Sequence, residues 1–487
     1  MSKTRTLRLF FIALLLGQAT CYGPFQHRSE SEQSDELHFT NTAEADAADG
    51  EDKAKGLILI TVDTLRADML GTYGHPEVQT PTFDRLAEEG QLFKTAIAQS
   101  STTTPSHASL FTSLYLHDHN VYSNFEALGR SPPTIAQLLQ EQGYETFAMV
   151  NMRHLNPEVA KLSRGFDTYI RSGYMRRAEE NVERFLEWVD ENEGKPFFAW
   201  LHIVDVHTPY QPPAPYDRLY YDRDEKDPRD RSLQKMWPLL PRHMSDHPFF
   251  RDWLAGITDT EWVIAQYKGA ITYVDDQIGR LVDELEERGR LDQTGIIVTS
   301  DHGENLGDHD MYFVHTGLYD STIHVPLITY FPGAEEVGVV VEDVVELVDV
   351  MPTALEYLGV APPPRIRGRS LWPQVRGEDE GGERVAIAEH AGRNLVALRS
   401  ARYKYIRHQR TKRLQPSYPF VRGQEELYDL LTDRRELIDI SDDRPDVLER
   451  FREILRERRE ESFDMSIGQA SLTGDTIEVL KALGYVQ

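Results

Sequence analysis

Short runs of apolar and β-branched residues recur along this chain of 487 residues, separated by segments in which apolar residues have helical spacing. A run that is apolar throughout is typical of a strand covered on both faces, as in a parallel sheet. Such runs predict strands at residues 57–62, 146–150, 197–204, 295–299 and 325–330. The spacing between them predicts helices at 83–89, 135–142, 178–190 and 262–287. This alternation predicts an α/β fold, a mostly parallel sheet sandwiched by helices.

The pattern changes after residue 377. Residues 396–399 and 403–406 are typical of antiparallel strands, and 448–459 of a charged amphipathic helix. We therefore predict a main domain at 56–377 and a smaller C-terminal α+β domain at 378–487, in which the basic run 407–413 is a solvated loop. Residues 212–252 lack clean periodicity. They predict a long surface excursion, either a lid or an insertion without a role.

The N-terminus has the pattern of an export signal. Basic residues precede an apolar stretch at 9–16, which predicts a signal peptide at residues 1–20 and a periplasmic or extracellular protein. Cys21, the only cysteine, stands where a lipoprotein carries its lipid, so plain secretion and a lipid anchor both remain open. Residues 21–55 are acidic and poor in large apolar residues, which predicts a disordered linker.

The net charge of -27 limits the partners of this protein. Repulsion makes nucleic acid an unfavourable ligand. A small anionic substrate is still compatible with this charge if the site carries a metal ion and histidines. A single cysteine excludes an intramolecular disulfide and a cysteine-based metal cage.

Acidic residues and histidines directly follow three predicted strands. Asp63 follows the first strand, Asp205 and His207 the third, and Asp301 and His302 the fourth. Because ligands bind at the carboxyl ends of strands in α/β sheets, we expect these side chains to lie at one rim. Crowded carboxylates there need a neutralising cation, and oxygen ligands with one imidazole suit a divalent ion.

Residues 102–110 combine a helix start with hydroxyl side chains. Thr104 suits the N-cap and Pro105 the first helical position. Thr103, just before them, is then expected to face backbone N–H groups at the positive end of the helix dipole, where an anion is stabilised. The segment predicts either a nucleophile or simply a well-capped helix.

The motifs, taken in order, resemble those of the sulfatase-type members of the alkaline phosphatase superfamily. The resemblance runs from about residue 57 to the C-terminus. It covers an opening metal motif (60–74), a nucleophile motif (103–113), a histidine motif (201–210) and a second metal motif (299–309). It continues through the block after that motif (315–328) and two C-terminal motifs (426–430 and 483–486).

Several positions depart from the family pattern. Thr103 stands where sulfatases have the cysteine or serine that becomes formylglycine, so no formylglycine is expected. His107 replaces an arginine, and Thr64 replaces the second of two paired aspartates. His315 replaces a lysine, and residues 151–154 lack the lysine of a further motif.

The resemblance implies a nucleophilic threonine, as in related phosphodiesterases and phosphatases of the superfamily. It implies catalytic roles for Thr103, His107, His207 and His315, and metal ligation by Asp63, Thr103, Asp301 and His302. One divalent ion (Ca, Mn, Mg or Zn) is expected, and a second is not excluded. His154, His202 and His309 are interpreted as hydrogen-bonding residues outside the metal's own ligands.

The expected function is hydrolysis of sulfate or phosphate esters, including phosphodiesters and phosphonates. The substrate is expected to be a small ester or a sulfated or phosphorylated glycan or lipid. A true sulfatase using threonine and a phospho-group transferase remain open as alternatives. A non-catalytic protein that binds sulfated glycans on the same scaffold also remains open.

Overall fold

The computed structural model describes residues 55–460 except 172–176, 241, 247, 379–381, 391–393, 411, 416–417 and 421–422. All described residues belong to one compact unit, Asp52–Gln487. The signal peptide at 1–20, Cys21, nearly all of the linker and the motif at 483–486 lie outside the described residues, as does the C-terminal domain beyond 460. The domain boundary at 377/378 stays a prediction.

The described strands, numbered in chain order, are β1 (Gly56–Val62), β2 (Gln91–Ile97), β3 (Glu145–Val150), β4 (Thr168–Arg171), β5 (Phe197–Ile203), β6 (Thr294–Thr299), β7 (Asn305–Leu306), β8 (Tyr312–Val314), β9 (His324–Tyr330), β10 (Val339–Glu346), β11 (Ala386–Glu389), β12 (Leu395–Arg399), β13 (Tyr403–His408), β14 (Lys412–Gln415), β15 (Tyr418–Phe420) and β16 (Glu425–Asp429). Eight of them form the main sheet in the order β10-β2-β9-β6-β1-β5-β3-β4. Only β9 runs antiparallel to its neighbours in this sheet.

The described α-helices are α1 (Pro81–Glu89), α2 (Thr103–Thr112), α3 (Leu116–His119), α4 (Ile135–Glu141), α5 (Ala178–Glu191), α6 (Ser232–Met236), α7 (Arg242–Ser245), α8 (Pro248–Trp253), α9 (Thr260–Glu287), α10 (Asp320–Ile323), α11 (Val350–Tyr357), α12 (Trp372–Val375) and α13 (Pro445–Glu460). Among the described residues, no helix has the length and apolar content needed to cross a membrane.

The central strand β1 shows why the sequence runs are apolar throughout. Ile58, Ile60 and Val62 pack on one face with α1, α5 and α9. Leu57 and Leu59 pack on the other face with α2, α4 and α11. Both faces are therefore covered, and the predicted α/β sandwich with a mostly parallel sheet is confirmed.

The prediction missed three strands of the main sheet, and each lacks a continuous apolar run. Strand β2 carries Lys94 and Thr95 in its middle, and β10 is partly exposed at one edge. Strand β4 is a short, half-exposed strand at the other edge. Such strands are held by pairing with neighbours, a signal that is not local in sequence.

A separate antiparallel sheet, β11-β12-β13-β16, confirms the predicted C-terminal strands. Helix α13 packs on one face of this sheet, and the other face packs near β2, β10 and the segment that leads into α10. Residues 407–413 are not one loop, because Arg407 and His408 end β13 and Lys412 begins β14. The excursion at 212–252 carries the short helices α6, α7 and α8.

A buried lysine connects this C-terminal sheet to the segment that follows the second metal motif (299–309). Lys404 on β13 is fully buried, with its Nζ 2.7 Å from Asp320 and 3.1 Å from Glu436. Arg399 on β12 pairs with the same Asp320 at 3.3 Å. Because Asp320 begins α10, these ion pairs fix the segment between β8 and β9.

We expect Lys404→Met to destabilise the protein, because it removes the cation paired with buried Glu436 and leaves Asp320 with Arg399 alone. The free energy of unfolding should fall by about 3 kcal/mol or more, measured by urea denaturation. The control is Arg402→Met, whose half-exposed pair with Asp429 should change it by less than about 1 kcal/mol. Equal losses in the two variants would contradict the assignment.

Candidate functional site

The central strands bring the predicted acidic residues to one edge of the sheet. Strands β1 and β6 are parallel neighbours, with Thr61 opposite Thr299. Asp63 and Asp301 each stand two residues further along, so they leave the sheet side by side. On the other side of β1, Thr61 lies opposite His202 of β5. The register therefore assembles this site from three strands that are distant in sequence.

Asp63, Asp301 and His302 form a buried group that fits a metal ion. One ligand atom from each lies within 4.8 Å of the others. His302 Nδ1 donates to the Gly303 carbonyl at 3.0 Å, which leaves Nε2 unprotonated in the neutral ring. This Nε2 lies 3.7 Å from Asp63 Oδ1 and 3.5 Å from Asp301 Oδ2.

Orphaned oxygen atoms supply the test of fit. Both carboxylate oxygens of Asp63 and the Oδ2 of Asp301 are buried without a hydrogen-bond partner. Burying such charge without compensation is costly, whereas a divalent ion neutralises it. Two ligands about 2.1 Å from a tetrahedral ion lie about 3.4 Å apart, close to the separations observed in this group. The residues present therefore fit one divalent ion.

The two carboxylates also differ in proton affinity. Burial and the adjacent Asp63 carboxylate raise the pKa of Asp301 well above its ordinary value. Burial also raises the pKa of Asp63, but His207, His202 and His302 outweigh it and hold that pKa below its ordinary value. Burial lowers the pKa of His302 to about 4, so its ring is neutral, as a metal ligand requires.

Thr103 lies beside this group, as predicted. Its Oγ1 is buried 3.3 Å from His302 Nε2. The helix start differs from the prediction, because α2 begins at Thr103 and its N-cap is Thr102 in an extended conformation. Pro105 is thus the third helical residue, and the Thr104 N–H donates to Asn124 Oδ1 at 2.8 Å. Thr104 and Pro105 therefore offer no free N–H beside Thr103, and the stabilisation of an anion at this helix start stays a prediction.

Buried hydroxyl groups tie the loops of the site together. Ser106 Oγ on α2 donates to the Asp301 carbonyl at 2.6 Å. Ser300 Oγ donates to the His302 carbonyl at 2.6 Å and accepts from the Leu65 N–H at 3.0 Å. Gly303 is needed for close approach, because a Cβ there would lie 2.2 Å from the Ser321 carbonyl oxygen. These contacts fix Asp63, Thr103 and His302 relative to one another.

Thr64, at the position of the family's second aspartate, is directed away from the group. Its hydroxyl donates to the Val206 carbonyl at 3.0 Å, and its backbone has a φ of 64°. This left-handed conformation is strained for a β-branched residue. Tyr267 from α9 donates to the Thr64 carbonyl at 2.7 Å and holds the turn. Thr64 therefore shapes the turn after Asp63 rather than supplying a ligand.

His107 is brought to the site, but both of its ring nitrogens are already hydrogen-bonded. Nδ1 donates to the Thr103 carbonyl at 2.9 Å, and Nε2 accepts from the Thr61 hydroxyl at 3.1 Å. Trp200 Nε1 donates to the same hydroxyl at 2.9 Å. Burial lowers the pKa of His107 well below its ordinary value. Its contacts position Thr103, and its predicted catalytic role stays a prediction.

His207 and His315 form a row of rings with His302. The ring centroids of His302 and His315 are 4.6 Å apart, and those of His207 and His315 are 5.6 Å apart. His207 Nδ1 donates to the Thr208 carbonyl at 2.7 Å. Both histidines therefore lie next to the candidate metal group, as predicted, and their contacts to an ester stay predictions.

Three residues of the sequence pattern do not join the group. Asp205 caps helix α5, accepting from the Ala178 N–H at 2.9 Å, and burial raises its pKa to about 7. Its prediction as a member of the rim cluster with a metal is wrong, because its carboxylate faces a helix start. His309 stacks on Tyr319 with ring centroids 3.6 Å apart. Burial lowers the pKa of His154 to about 3, and the charge of nearby Asp63 opposes this shift.

The sequence reasoning overlooked the residues that support the site. Trp200 and Asn124 carry no local motif signal, because they act through partners that only the fold brings near. Thr61 and Glu304 lie within the two metal motifs, at 60–74 and 299–309, but neither is predicted to have a role there. Glu304 is fully buried, accepts from Thr208 Oγ1 at 3.1 Å, and burial raises its pKa to about 8.

Comparisons with known proteins find similarity over most of the chain. A family model described as Sulfatase matches residues 55–360, and one described as N-sulphoglucosamine sulphohydrolase, C-terminal, matches residues 307–461. An arylsulfatase of Clostridium perfringens is 26% identical over 494 residues, covering 87% of this chain and 98% of that protein. A multifunctional alkaline phosphatase superfamily protein of Trinickia caryophylli is 29% identical over 395 residues, covering 66% of this chain and 76% of that protein.

A solved structure gives the same fold. The crystal structure of a phosphonate monoester hydrolase of Agrobacterium radiobacter matches with a TM-score of 0.66 and 24% identity, covering 87% of this chain and 99% of that one.

We expect Asp301→Asn to weaken metal binding, because it removes a charged oxygen ligand while keeping the side-chain shape. Affinity should fall by about 100-fold or more, since even groups outside the ligand set contribute 10–100-fold. Metal content after dialysis measures this. Thr64→Val is the matched control, which loses the bond to Val206 but should keep its metal. Full metal occupancy in Asp301→Asn would contradict the ligand assignment.

Proposed function

The chain belongs to the sulfatase family, and from that premise we propose that it hydrolyses monoanionic esters through the hydroxyl of Thr103 beside a divalent ion. The observation that carries this proposal is the position of Thr103 Oγ1, 3.3 Å from His302 Nε2 and next to the orphaned oxygens of Asp63 and Asp301. A hydroxyl among unsatisfied ligand atoms is better suited to catalysis than to passive binding. This favours an enzyme over the non-catalytic alternative.

The proposed ligands are Asp63, Asp301, His302 and Thr103. When bound, a divalent ion would polarise the ester and lower the pKa of the attacking hydroxyl. The residues of the chain hold the attacking hydroxyl and the metal-binding carboxylate in place. His107 holds the Thr103 carbonyl, and Ser106 holds the Asp301 carbonyl, so the hydroxyl and the carboxylate keep a fixed separation.

The proposed reaction has two steps. The Thr103 hydroxyl loses its proton and its Oγ forms a bond to the sulfur or phosphorus atom, while the bond to the leaving oxygen breaks and that oxygen takes up a proton. Water then cleaves the threonine ester, restores the hydroxyl and releases sulfate, a phosphonate or a phosphate monoester, according to the substrate. His207 and His315 are the predicted contacts of the ester, and His207 is the predicted proton source, because burial lowers the pKa of His315 and favours a neutral ring there.

The charge of the site favours substrates with a single negative charge. Where the family resemblance implies permanent cations, this chain has His107 and His315. Two carboxylates and a divalent ion sum to about zero, so a monoanion is balanced more easily than a dianion. Sulfate monoesters, phosphodiesters and phosphonate monoesters carry one charge, whereas phosphate monoesters carry two near neutral pH. The similarity to an arylsulfatase and to a phosphonate monoester hydrolase supports this substrate class.

We expect Thr103→Ala to lose nearly all turnover, because it removes the proposed nucleophile. The drop in kcat should be about 10³-fold or more for a covalent role. Thr103→Ser keeps the hydroxyl and should retain substantial activity. Steady-state kinetics measures both, and circular dichroism confirms that each variant is folded. Full activity in Thr103→Ala would assign the attack to another group or to water.

Among esters that share the p-nitrophenyl leaving group, those with one negative charge should react faster than the one with two. We expect p-nitrophenyl phenylphosphonate and bis(p-nitrophenyl) phosphate to react fastest, followed by p-nitrophenyl sulfate. The dianion p-nitrophenyl phosphate should have a kcat/KM lower by about tenfold or more, a difference of about 1.4 kcal/mol. The measurement is kcat/KM for each ester with Zn²⁺, Mn²⁺ and Ca²⁺ in turn. Fastest turnover of the dianion would overturn the proposed charge selectivity.

A further inference from the structure

His202 is a fully buried histidine with unused hydrogen-bonding capacity. It lies on β5 with none of its side chain exposed. Within the part of the chain that the structure describes, neither of its ring nitrogens has a hydrogen-bond partner. Buried polar groups are nearly always paired, because leaving one unpaired costs free energy. Apart from the Asp63 carboxylate 3.4 Å from its Nε2, this imidazole therefore retains the capacity to bind a ligand.

The ring of His202 lies against the candidate metal group. Its Nε2 is 3.4 Å from Asp63 Oδ2, the oxygen on the side away from His302. A ring nitrogen of His202 also lies within 4.8 Å of a carboxylate oxygen of Asp301. His202 is thus close to both aspartates of the group, and it approaches them from the strand on the other side of β1.

Both the backbone and the ring of His202 are held in place by neighbouring residues. The side-chain amides of Asn151 and Asn181 donate to the His202 carbonyl at 3.0 and 3.3 Å. The ring packs beside His107 and Trp200, with centroids 5.2 and 6.0 Å away. A ring held this firmly loses little conformational entropy when it binds an ion.

The metal group also lacks one ligand that the family resemblance implies. Thr64 replaces the second aspartate, and its hydroxyl is bonded to the Val206 carbonyl. His202 lies on the β5 side of Asp63, so it can supply the metal-ligand atom that Thr64, in the turn after β1, does not. Asp63, Asp301, His302 and Thr103 would otherwise be the complete set of protein ligands.

We propose that His202 is a ligand of the divalent ion, together with Asp63, Asp301, His302 and Thr103. This inference rests on the proposed function only through the presence of that ion. The ligands would then comprise two imidazole nitrogens and three oxygens. A second imidazole favours zinc or a similar transition metal over calcium and magnesium, which prefer oxygen ligands.

Two other roles for His202 give different outcomes. It could donate a hydrogen bond to Asp63 without binding the ion. It could also hold a second ion with His107 and Asp301, whose ligand atoms lie within 4.8 Å of it and of one another. The second role is disfavoured, because both His107 nitrogens are already bonded to Thr103 and Thr61.

Pulsed EPR of the Mn²⁺-loaded, full-length protein tests the proposal, because it detects the nitrogens coordinated to the ion. We expect two imidazole nitrogens in the unsubstituted protein and one in His202→Asn, which keeps a hydrogen-bond donor near Asp63. His302→Asn should also show one. His107→Asn is the matched control and should keep two nitrogens and one ion per chain.

Metal selectivity gives a second readout that does not depend on turnover. Zn²⁺ should bind the unsubstituted protein at least about 100-fold more tightly than Ca²⁺, and His202→Asp should reduce that ratio by replacing nitrogen with oxygen. If the unsubstituted protein shows only one coordinated nitrogen, the proposal is overturned, and this result does not depend on whether His202→Asn folds. The proposed function would then still stand. Two ions per chain, one of them lost in His107→Asn, also overturns it. A protein that binds no ion contradicts both proposals.

Discussion

The site depends on two buried carboxylates that cannot both be charged without a cation. Asp63 and Asp301 leave neighbouring parallel strands at the same level, and three of their four oxygens have no hydrogen-bond partner among the described residues. Burial and the Asp63 carboxylate raise the pKa of Asp301, whereas neighbouring histidines outweigh burial and hold the pKa of Asp63 below its ordinary value. The unsatisfied oxygens are a local cost in stability, which the surrounding buried contacts must offset.

Those contacts come from every part of the sheet. Ser106 on α2 and Ser300 after β6 bond to the backbone around Asp301 and His302, and Tyr267 on α9 bonds to the turn after Asp63. Further out, Lys404 of the C-terminal sheet holds the start of α10. The C-terminal sheet therefore supports the segment that follows His315, although none of its strands contributes to the metal group.

Histidines define how this site differs from the family pattern. The positions implied to be arginine and lysine are His107 and His315, and His202 adds a further, fully buried ring next to the aspartates. Burial lowers the pKa of His107 and His315 well below the ordinary value, which favours neutral rings. The site thereby lacks two of the fixed positive charges that the family resemblance implies.

The sequence alone determined the α/β fold, the acidic residues after β1 and β6, and the presence of Thr103 at the start of a helix. These follow from local signals, namely apolar runs, helical spacing and ordered motifs. Only the tertiary structure decided that Asp205 caps α5, that both ring nitrogens of His107 are already bonded, and that those of His202 are not. The reason is physical: a motif specifies which side chain follows a strand, but strand register and the packing of distant helices determine which atoms it meets.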